Sequence, residues 1–361
     1  MPHISDYLTE KGNLSFAEEP FNEVDNYVIA KVGTPDYRQV LPEGERVPLG
    51  EALNTYFSLH GEEGSYLGAL ASPEINAALR RLPELRRYRD LLLSGYVRRI
   101  LPVYTEQFSA LTVTLPLGWS YVSFRGTDDT LLGWKENFLM SVGRVEAQTD
   151  AAAYLTAAAE RLPGALIVGG HSKGGNLAAF AAAMAPPEIQ DRILGVYNND
   201  GPGFLPEFYR EPGYLRIRPK LHTLLPQNTL VGTLLTREKW AVIVKSSRSG
   251  AAAHDGFTWE VQGTRFVRCP TLSPGSRAFE ETMDRVLETM DQDQRREFTE
   301  ELFDALAATG AETVTEVSEK KLLEALEIVG SFRKGTGTKR FVLEVLRELV
   351  KAYTRQRLGL E

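Results

Sequence analysis

The stretch from Ala165 to Phe180 constrains the fold more than any other part of the sequence. It begins with Leu166-Ile-Val168, a short run typical of a buried strand, and ends in alanine-rich sequence that favours a helix. Between them, Gly170-His-Ser-Lys-Gly174 fits the pattern G-x-S-x-G, which needs this strand–turn–helix setting. The turn is so sharp that side chains at the glycine positions would collide with neighbouring elements. The pattern predicts that the Ser172 hydroxyl projects above a sheet, beside the positive end of a helix.

Two other interpretations of a glycine-rich turn compete with a nucleophile elbow. An incidental serine in a flexible turn accounts for neither the strand before it nor the helix after it. A phosphate-binding loop would need the order G-x-x-x-x-G-K-[ST], which this stretch does not contain. The pattern therefore favours Ser172 as a catalytic nucleophile.

Composition narrows the class of protein. The 361 residues are 43% hydrophobic and 25% charged, as in an ordinary globular protein, and the net charge of -7 argues against a general nucleic-acid binder. Cys269 is the single cysteine, which excludes an internal disulfide and fits a reducing compartment. No signal-peptide pattern and no apolar run of membrane-spanning length is present. We expect a cytoplasmic protein without a transmembrane segment; peripheral membrane contact and the oligomeric state stay open.

The chain divides into three predicted parts. Residues 1–105 form an N-terminal loop and helical segment, in which Asn22 caps a helix and the stretch from Leu49 to about Leu101 is helical in character. Prolines divide that stretch into pieces. Its many arginines are expected on solvated helix faces. Residues 274–361 form a helical C-terminal module, with helices predicted at 278–290, 294–309, 320–332 and 339–357.

The middle part, residues 106–273, alternates strands with helices. A hairpin of two strands, 108–115 and 120–124, comes first, with Gly118 in its turn. Further strands are predicted at 166–168, 193–197, 221–225, 240–245 and 258–261, and helices at 132–138, 151–162 and 177–184. Such alternation is typical of an α/β fold with a mainly parallel sheet.

A serine nucleophile needs a general base, and the chain has five histidines. His3 and His60 lie in the N-terminal part, and His171 lies inside the elbow. His254 follows the last long strand, downstream of the serine, where this architecture is expected to carry its base. We predict His254 as the base, with His222 in reserve at the start of a strand.

The acid that orients the base is predicted at Asp200, after the first strand beyond the elbow. The order Ser172, Asp200, His254 is the order of α/β hydrolases, and the carboxylate would fix the imidazole tautomer. A turn residue in Asn-Asp-Gly-Pro-Gly is the simpler alternative. Asp255 is a poor rival, because a sequence neighbour rarely lies behind its own adjacent imidazole. The alternation of strands and helices, together with the order Ser172, Asp200, His254, predicts an α/β-hydrolase fold.

The donors for a developing oxyanion are predicted at two places. One is the backbone N–H of Lys173, the residue after the nucleophile. The other is the loop Phe124-Arg-Gly-Thr127, where Thr127 would provide its N–H and its hydroxyl.

Several of these motifs resemble those of the fungal-type (class 3) lipases. The similar residues are Val122-Ser-Phe-Arg-Gly-Thr127, Trp134, Asn137 and Gly170-His-Ser-Lys-Gly-Gly-Asn-Leu-Ala178. In that family the residue after Arg-Gly forms the oxyanion hole, which the resemblance carries to Thr127.

The chain resembles a bacterial lipase-like family of unknown function more closely still. The stretches that carry this similarity are Leu14-Ser-Phe-Ala-Glu-Glu-Pro-Phe-Asn-Glu-Val-Asp-Asn26, Tyr197-Asn-Asn-Asp-Gly-Pro-Gly-Phe204 and His254-Asp-Gly-Phe-Thr-Trp259. The helical tail carries no diagnostic motif.

Two features depart from the class 3 pattern. Class 3 lipases take their acid from the loop after the next strand, which here is Leu225-Pro-Gln-Asn-Thr-Leu230 and contains no carboxylate. Asp200 instead resembles the acid of pancreatic-type lipases, which follows the strand directly after the elbow. Lys173 also occupies a position where lipases commonly carry an apolar residue.

The sequence thus predicts a serine hydrolase that cleaves carboxylic esters or acyl groups through an acyl-enzyme on Ser172. The expected partner is a small-molecule or lipid-like ester, and no metal or organic cofactor is implied. The alternative is a hydrolase-fold binding or scaffold protein whose elbow is vestigial, because a fold does not determine a function.

Overall fold

The computed structural model of the chain describes residues 1–61, 73–116, 118–128, 130–313 and 316–317. The helices predicted at 320–332 and 339–357 lie outside these residues. None of the helices it does describe is long and apolar enough to cross a lipid bilayer.

A mixed sheet forms the centre of the described part of the chain, and its eight strands lie side by side in sequence order. The first four are antiparallel to one another, and those from the fourth to the eighth are parallel. The strands are β1 (Arg46–Pro48), β2 (Leu92–Leu101), β3 (Glu106–Thr114), β4 (Ser120–Phe124), β5 (Leu166–His171), β6 (Ile193–Asn199), β7 (Leu221–Pro226) and β8 (Val242–Val244). This is the predicted α/β-hydrolase architecture, entered through an antiparallel hairpin.

Helices cover both faces of the sheet. They are α1 (Ile4–Lys11), α2 (Glu23–Val32), α3 (Leu49–His60), α4 (Pro73–Arg81), α5 (Leu131–Leu139), α6 (Glu146–Arg161), α7 (Lys173–Met184), α8 (Pro187–Arg192), α9 (Pro212–Ile217), α10 (Pro274–Thr289) and α11 (Gln292–Ala308). Ile167 of β5 packs into a core with α1, α2 and α3, whereas Leu166 and Val168 pack into a second core with α6, α7 and α9. Because side chains alternate along a strand, the continuous apolar run of β5 serves both cores.

The prediction of helix from Leu49 to about Leu101 is wrong in its last part, which forms β2. The alternation expected of a strand is interrupted by a bulge between Ser94 and Val97, where Gly95 has a φ of +65°. A bulge inserts an extra residue and so hides the period of two from a sequence pattern. Arg98 and Arg99, expected on helix faces, therefore lie on a strand.

Two smaller differences concern short strands. Residues 46–48, expected in a loop, form β1 and pair with β2. The strand expected at 258–261 begins only at Val261, in a separate two-stranded sheet formed by β9 (Val261–Gln262) and β10 (Arg265–Phe266). The predicted strands at 108–115, 120–124, 166–168, 193–197 and 221–225 are confirmed.

Helices α10 and α11 confirm the first two helices expected after residue 273, although α10 already begins at Pro274. They pack on the carboxyl-end side of the parallel strands, where Phe303 contacts Phe138 of α5 with ring centroids 5.3 Å apart. Glu280 pairs with Arg237 at 2.6 Å. The part of the C-terminal sequence that the structure describes is therefore anchored next to α5 and the segment before β8.

Candidate active site

Ser172 lies between β5 and α7 in a strained backbone conformation. Its φ and ψ are +60° and -135°, and its N–H donates to the carbonyl oxygen of Asn199 at 2.9 Å. Positive φ is costly for a residue with a side chain, so the surroundings must hold the turn. A Cβ on Gly174 would lie 2.1 Å from the carbonyl oxygen of Phe124, which explains why a glycine is needed there. The elbow predicted from the sequence has the expected strand–turn–helix form.

A chain of buried amides supports the elbow from the α2 side. The Tyr121 hydroxyl donates to Asn26 Oδ1 at 2.8 Å, and Asn26 Nδ2 donates to Asn199 Oδ1 at 2.9 Å. Asn199 Nδ2 in turn donates to the carbonyl oxygen of Gly170 at 2.9 Å. Both asparagines are fully buried, and a fully satisfied polar chain of this kind fixes the relative position of the elements it joins.

The structure brings Asp200 and His254 together at the carboxyl ends of the parallel strands. Asp200 directly follows β6, and its Oδ2 lies 2.7 Å from His254 Nδ1. The side chains are 0% and 2% exposed, so water does not compete for this hydrogen bond. The hydroxyl of Thr229 donates to the other carboxylate oxygen, Oδ1, at 2.5 Å. Because an ionised carboxylate only accepts, Nδ1 carries the proton and the neutral ring is left with a lone pair on Nε2.

The other acidic and basic candidates lie elsewhere. Asp255 accepts the N–H of Phe257 at 3.1 Å. His222 lies near the amino end of β7, at the opposite edge of the sheet from Ser172, and stacks on Tyr197 with ring centroids 4.8 Å apart. Within the described residues, His254 is thus the histidine that meets a carboxylate at the edge of the sheet that carries Ser172.

The Ser172 hydroxyl is partly accessible, and it makes no hydrogen bond to His254 or to any other residue that the structure describes. Catalytic hydrogen bonds are often long in enzymes without substrate and tighten when the substrate binds. The serine and the Asp200–His254 pair therefore share one edge of the sheet without a completed relay.

The loop after β4 packs directly against the elbow. A Cβ on Gly126 would lie 2.8 Å from the carbonyl oxygen of His171 and 3.2 Å from Ser172 Cβ, so this close approach requires a glycine. The hydroxyl of Thr127 lies 2.8 and 3.0 Å from the two side-chain amide atoms of Asn137 on α5. This contact fixes the position of the hydroxyl that the sequence predicted as an oxyanion donor.

Lys173 contributes to the site only through its backbone. It is the first residue of α7, where a helix has no acceptor for its N–H groups, so this N–H is available beside Ser172. The side chain turns away and forms a buried ion pair with Glu136 of α5. Its Nζ also donates to the carbonyl oxygen of Gln107 at 2.7 Å, and each side chain of the pair is 1% exposed.

The ion pair joins α5 to the elbow. Glu136 also accepts the backbone N–H groups of Gln107 at 3.0 Å and Ala147 at 3.1 Å, so both carboxylate oxygens are occupied. A buried charge of this kind is tolerated only when it is paired and hydrogen-bonded. No sequence motif predicts this role for the unusual Lys173; the available signal is a glutamate beside Asn137 on the predicted helix.

The surroundings of His171 are likewise not predicted by any sequence motif. Its Nε2 lies 2.7 Å from the carbonyl oxygen of His254, and its Nδ1 lies 2.8 Å from Lys31 Nζ on α2. Burial, together with the charge of Lys31, holds the pKa of His171 well below its usual value. Burial also lowers the pKa of Lys31 to about 8.

Comparison with known proteins identifies the family. The crystal structure of M37 lipase aligns with 85% of this chain and 98% of its own, at 11% sequence identity and a TM-score of 0.34. No protein of curated function matches the chain. Residues 82–304 match the model of the Mbeg1-like family. The lipase-like resemblance predicted from the motifs is confirmed at the level of the family. Because the family match covers more than half of its length, the chain belongs to the Mbeg1-like family.

Proposed function

We propose that this protein is a serine hydrolase that cleaves carboxylic esters or acyl groups. Ser172 is the nucleophile, His254 the general base, and Asp200 the acid that orients it. The observation that carries the proposal is the buried 2.7 Å contact between Asp200 and His254 at the edge of the sheet that carries the strained serine. A hydrogen-bonded carboxylate and imidazole beside an elbow serine are the parts that activate a hydroxyl.

In the proposed reaction, His254 Nε2 removes the proton of the Ser172 hydroxyl as the oxygen attacks the carbonyl carbon of the ester. The tetrahedral oxyanion accepts hydrogen bonds from the backbone N–H groups of Lys173 and Thr127. Each such donor contributes about 3–4 kcal/mol to transition-state stabilisation. The intermediate collapses, and the imidazolium gives its proton to the leaving alcohol. Asp200 stabilises the imidazolium without taking the proton.

Water then completes the cycle. His254 removes a proton from a water molecule, which attacks the acyl-enzyme, and Ser172 leaves with the returned proton. These steps use only protein groups and water.

The substrate expected from the lipase-like resemblance is a small-molecule or lipid-like ester. The lone, half-buried Cys269 supports a reducing, cytoplasmic location.

The second candidate is a binding protein with a vestigial elbow. The observation that favours it is the missing hydrogen bond between the Ser172 hydroxyl and His254. Against it, a described residue is available for each role of the proposed mechanism, and a scaffold has no use for the strained backbone of Ser172.

Intact-mass analysis after exposure to a fluorophosphonate probe separates the two candidates. The parent is expected to gain one adduct, and Ser172→Ala and His254→Ala are expected to gain none. Ser58→Ala, which changes an exposed serine on α3, is the matched control and should react like the parent. Hydrolysis of chromogenic esters of increasing acyl length then measures turnover. A folded parent that takes no adduct, or a Ser172→Ala variant that hydrolyses esters as fast as the parent, would refute the proposal in favour of the binding protein.

A further inference from the structure

A second histidine lies against the proposed general base. The rings of His171 and His254 are 4.3 Å apart between centroids and are tilted by 38°. His171 Nε2 contacts the backbone carbonyl oxygen of His254 at 2.7 Å, and Lys31 Nζ contacts His171 Nδ1 at 2.8 Å. All three side chains are buried, at 8%, 2% and 7% exposure for His171, His254 and Lys31.

These contacts determine the tautomer of His171. A carbonyl oxygen can only accept, so Nε2 must carry a hydrogen and donate it to His254. The ammonium of Lys31 can only donate, so Nδ1 must be the acceptor. Only the neutral imidazole with its proton on Nε2 satisfies both contacts. Protonation of Nδ1 would break the contact with Lys31 and place two cations side by side in a buried site.

Filling space does not explain this arrangement. A buried lysine is costly, and an apolar side chain would fill the same volume without desolvating a charge. Lys31 contacts Nδ1 of His171, and Nε2 of the same ring contacts the backbone of His254, the proposed base. The arrangement therefore fixes the protonation state of His171 at the place where its ring contacts the His254 backbone.

We propose, building on the proposed function, that His171 and Lys31 are positioning residues for the general base. His171 holds the His254 segment through its carbonyl oxygen, and Lys31 keeps His171 in the neutral form that can do so without adding charge to the ring beside the base. Neither residue touches the substrate or the reacting atoms.

The charges around His171 come from several elements. On α2, Lys31 is accompanied by Tyr27, whose ring lies edge-on to His171 at 5.4 Å between centroids. Asp255 raises the pKa of Lys31, whereas Arg125, at the end of β4, lowers it. Because burial lowers the pKa of Lys31 only to about 8, Lys31 stays largely cationic at neutral and mildly acidic pH, where a histidine base would lose its activity. Burial and the charge of Lys31 together therefore keep His171 neutral over that range.

The imidazolium formed during turnover sharpens the need for a neutral neighbour. When His254 takes the serine proton, its positive charge is stabilised by Asp200 on one side and faces the His171 ring on the other. A second imidazolium at this distance, between two buried side chains, would repel it. Loss of Lys31 should therefore impair turnover most at the acidic end of the pH range.

Paired variants test the two roles. His171→Gln keeps an N–H that can reach the His254 carbonyl oxygen, whereas His171→Phe keeps the ring and loses the donor. We expect kcat to fall about a hundredfold in His171→Phe, because small displacements of catalytic groups have effects of that size, and less than tenfold in His171→Gln, with KM unchanged in both. His222→Gln, remote from the site, is the matched control and should leave kcat unchanged.

Lys31→Met and Lys31→Arg test the charge. In Lys31→Met the acid limb of the kcat/KM profile should move to higher pH by up to about one unit, because a charge that opposes protonation of His171 beside the base is lost while burial still opposes it. Lys31→Arg keeps the positive charge and should keep the parent profile. NMR titration of labelled histidines provides a readout without turnover, in which the pKa of His171 should rise in Lys31→Met and not in Lys31→Arg.

The outcomes separate the inference from the proposed function. Equal kcat in His171→Phe and His171→Gln would overturn the role of His171. An unchanged acid limb and an unchanged His171 titration in a folded Lys31→Met protein would overturn the role of Lys31. A parent that neither hydrolyses esters nor takes the fluorophosphonate would refute the proposed function, and the NMR titration would still decide whether Lys31 controls the protonation of His171.

Discussion

Replacing Asp200 with asparagine tests the proposed triad most directly, because the surroundings determine how the new amide must point. Thr229 Oγ1 accepts the backbone N–H of Gly232 at 2.9 Å and donates its own hydrogen to Asp200 Oδ1 at 2.5 Å. In Asp200→Asn the amide oxygen is therefore expected to face Thr229, and the NH₂ group to face His254. An NH₂ group at 2.7 Å forces Nδ1 to accept, so the ring proton moves to Nε2.

This tautomer cannot act as a base toward Ser172. The substitution changes little else, since asparagine has the size of aspartate and the oxyanion donors are untouched. A wrong tautomer of this kind lowers kcat about ten-thousandfold, which corresponds to about 5 kcal/mol of transition-state stabilisation. We expect kcat to fall by that order while KM and the melting temperature change little.

A second substitution tests whether the orientation of the amide is the cause. Thr229→Val removes the hydroxyl that fixes the amide, which lets the asparagine turn its oxygen toward His254 Nδ1–H. The double variant is then expected to be at least about tenfold more active than Asp200→Asn, although Thr229→Val alone is expected to lose activity, because the two contacts belong to one network.

Ester hydrolysis followed under single-turnover conditions measures these rates, with Asp255→Asn as the matched carboxylate control beside His254. Its side chain accepts the N–H of Phe257, and Asp200 is the carboxylate that contacts His254 Nδ1, so the loss in Asp255→Asn should stay within about tenfold. If Asp200→Asn kept the activity of the parent, Asp200 would not be the acid. If the double variant were no faster than Asp200→Asn, the tautomer argument would fail.

Two further predictions concern the surroundings of the serine. Gly126→Ala places a Cβ 2.8 Å from the His171 carbonyl oxygen, so the loop that carries Thr127 must move away. We expect kcat to fall about a hundredfold, and a wild-type kcat would contradict the predicted oxyanion loop. Lys173→Met leaves the carboxylate of Glu136 buried without its partner and should lower the free energy of unfolding in urea by about 3–5 kcal/mol. Adding Glu136→Gln should restore part of that loss, and no restoration would mean that the charge is not its cause.

The elbow could be predicted from the sequence because its determinants are local. The apolar strand, the glycines and the alanine-rich helix follow one another within one short stretch, and their geometry is enforced by contacts such as that of Gly174 with Phe124. The chain order of Asp200 and His254 added the two distant partners, since the carboxyl ends of parallel strands meet at one edge. Strand β2 was missed because its bulge at Gly95 breaks the only pattern by which it could be recognised.

The buried polar contacts could not be predicted, because they join residues that are far apart in sequence. Lys31 and His171 are separated by 140 positions, and Asn26 and Asn199 by 173. A hydrogen bond across such a distance depends on how helix α2 packs on the sheet, and no periodic pattern carries that information. The stretch from Leu14 to Asn26 is marked in the sequence by its resemblance to a family, and the physical role predicted within it is that of Asn22 as a helix cap, which the structure confirms.

Helix α2 gives the end of this stretch, from Asn22 to Asn26, its structural role. Its first turn is capped by Asn22, and Asp25 forms a buried two-point ion pair with Arg87, at 2.8 and 2.5 Å, that fixes the helix against the N-terminal core. A helix held in this way can present Asn26 to the elbow and Lys31 to His171. Because Asn26 and Lys31 lie on the same helix, a small shift of α2 would break both contacts at once. Each buried polar group left without its partner would lower the stability of the fold. The N-terminal segment is therefore part of the candidate site, and substitutions that loosen the Asp25–Arg87 pair are expected to act on His254 through α2.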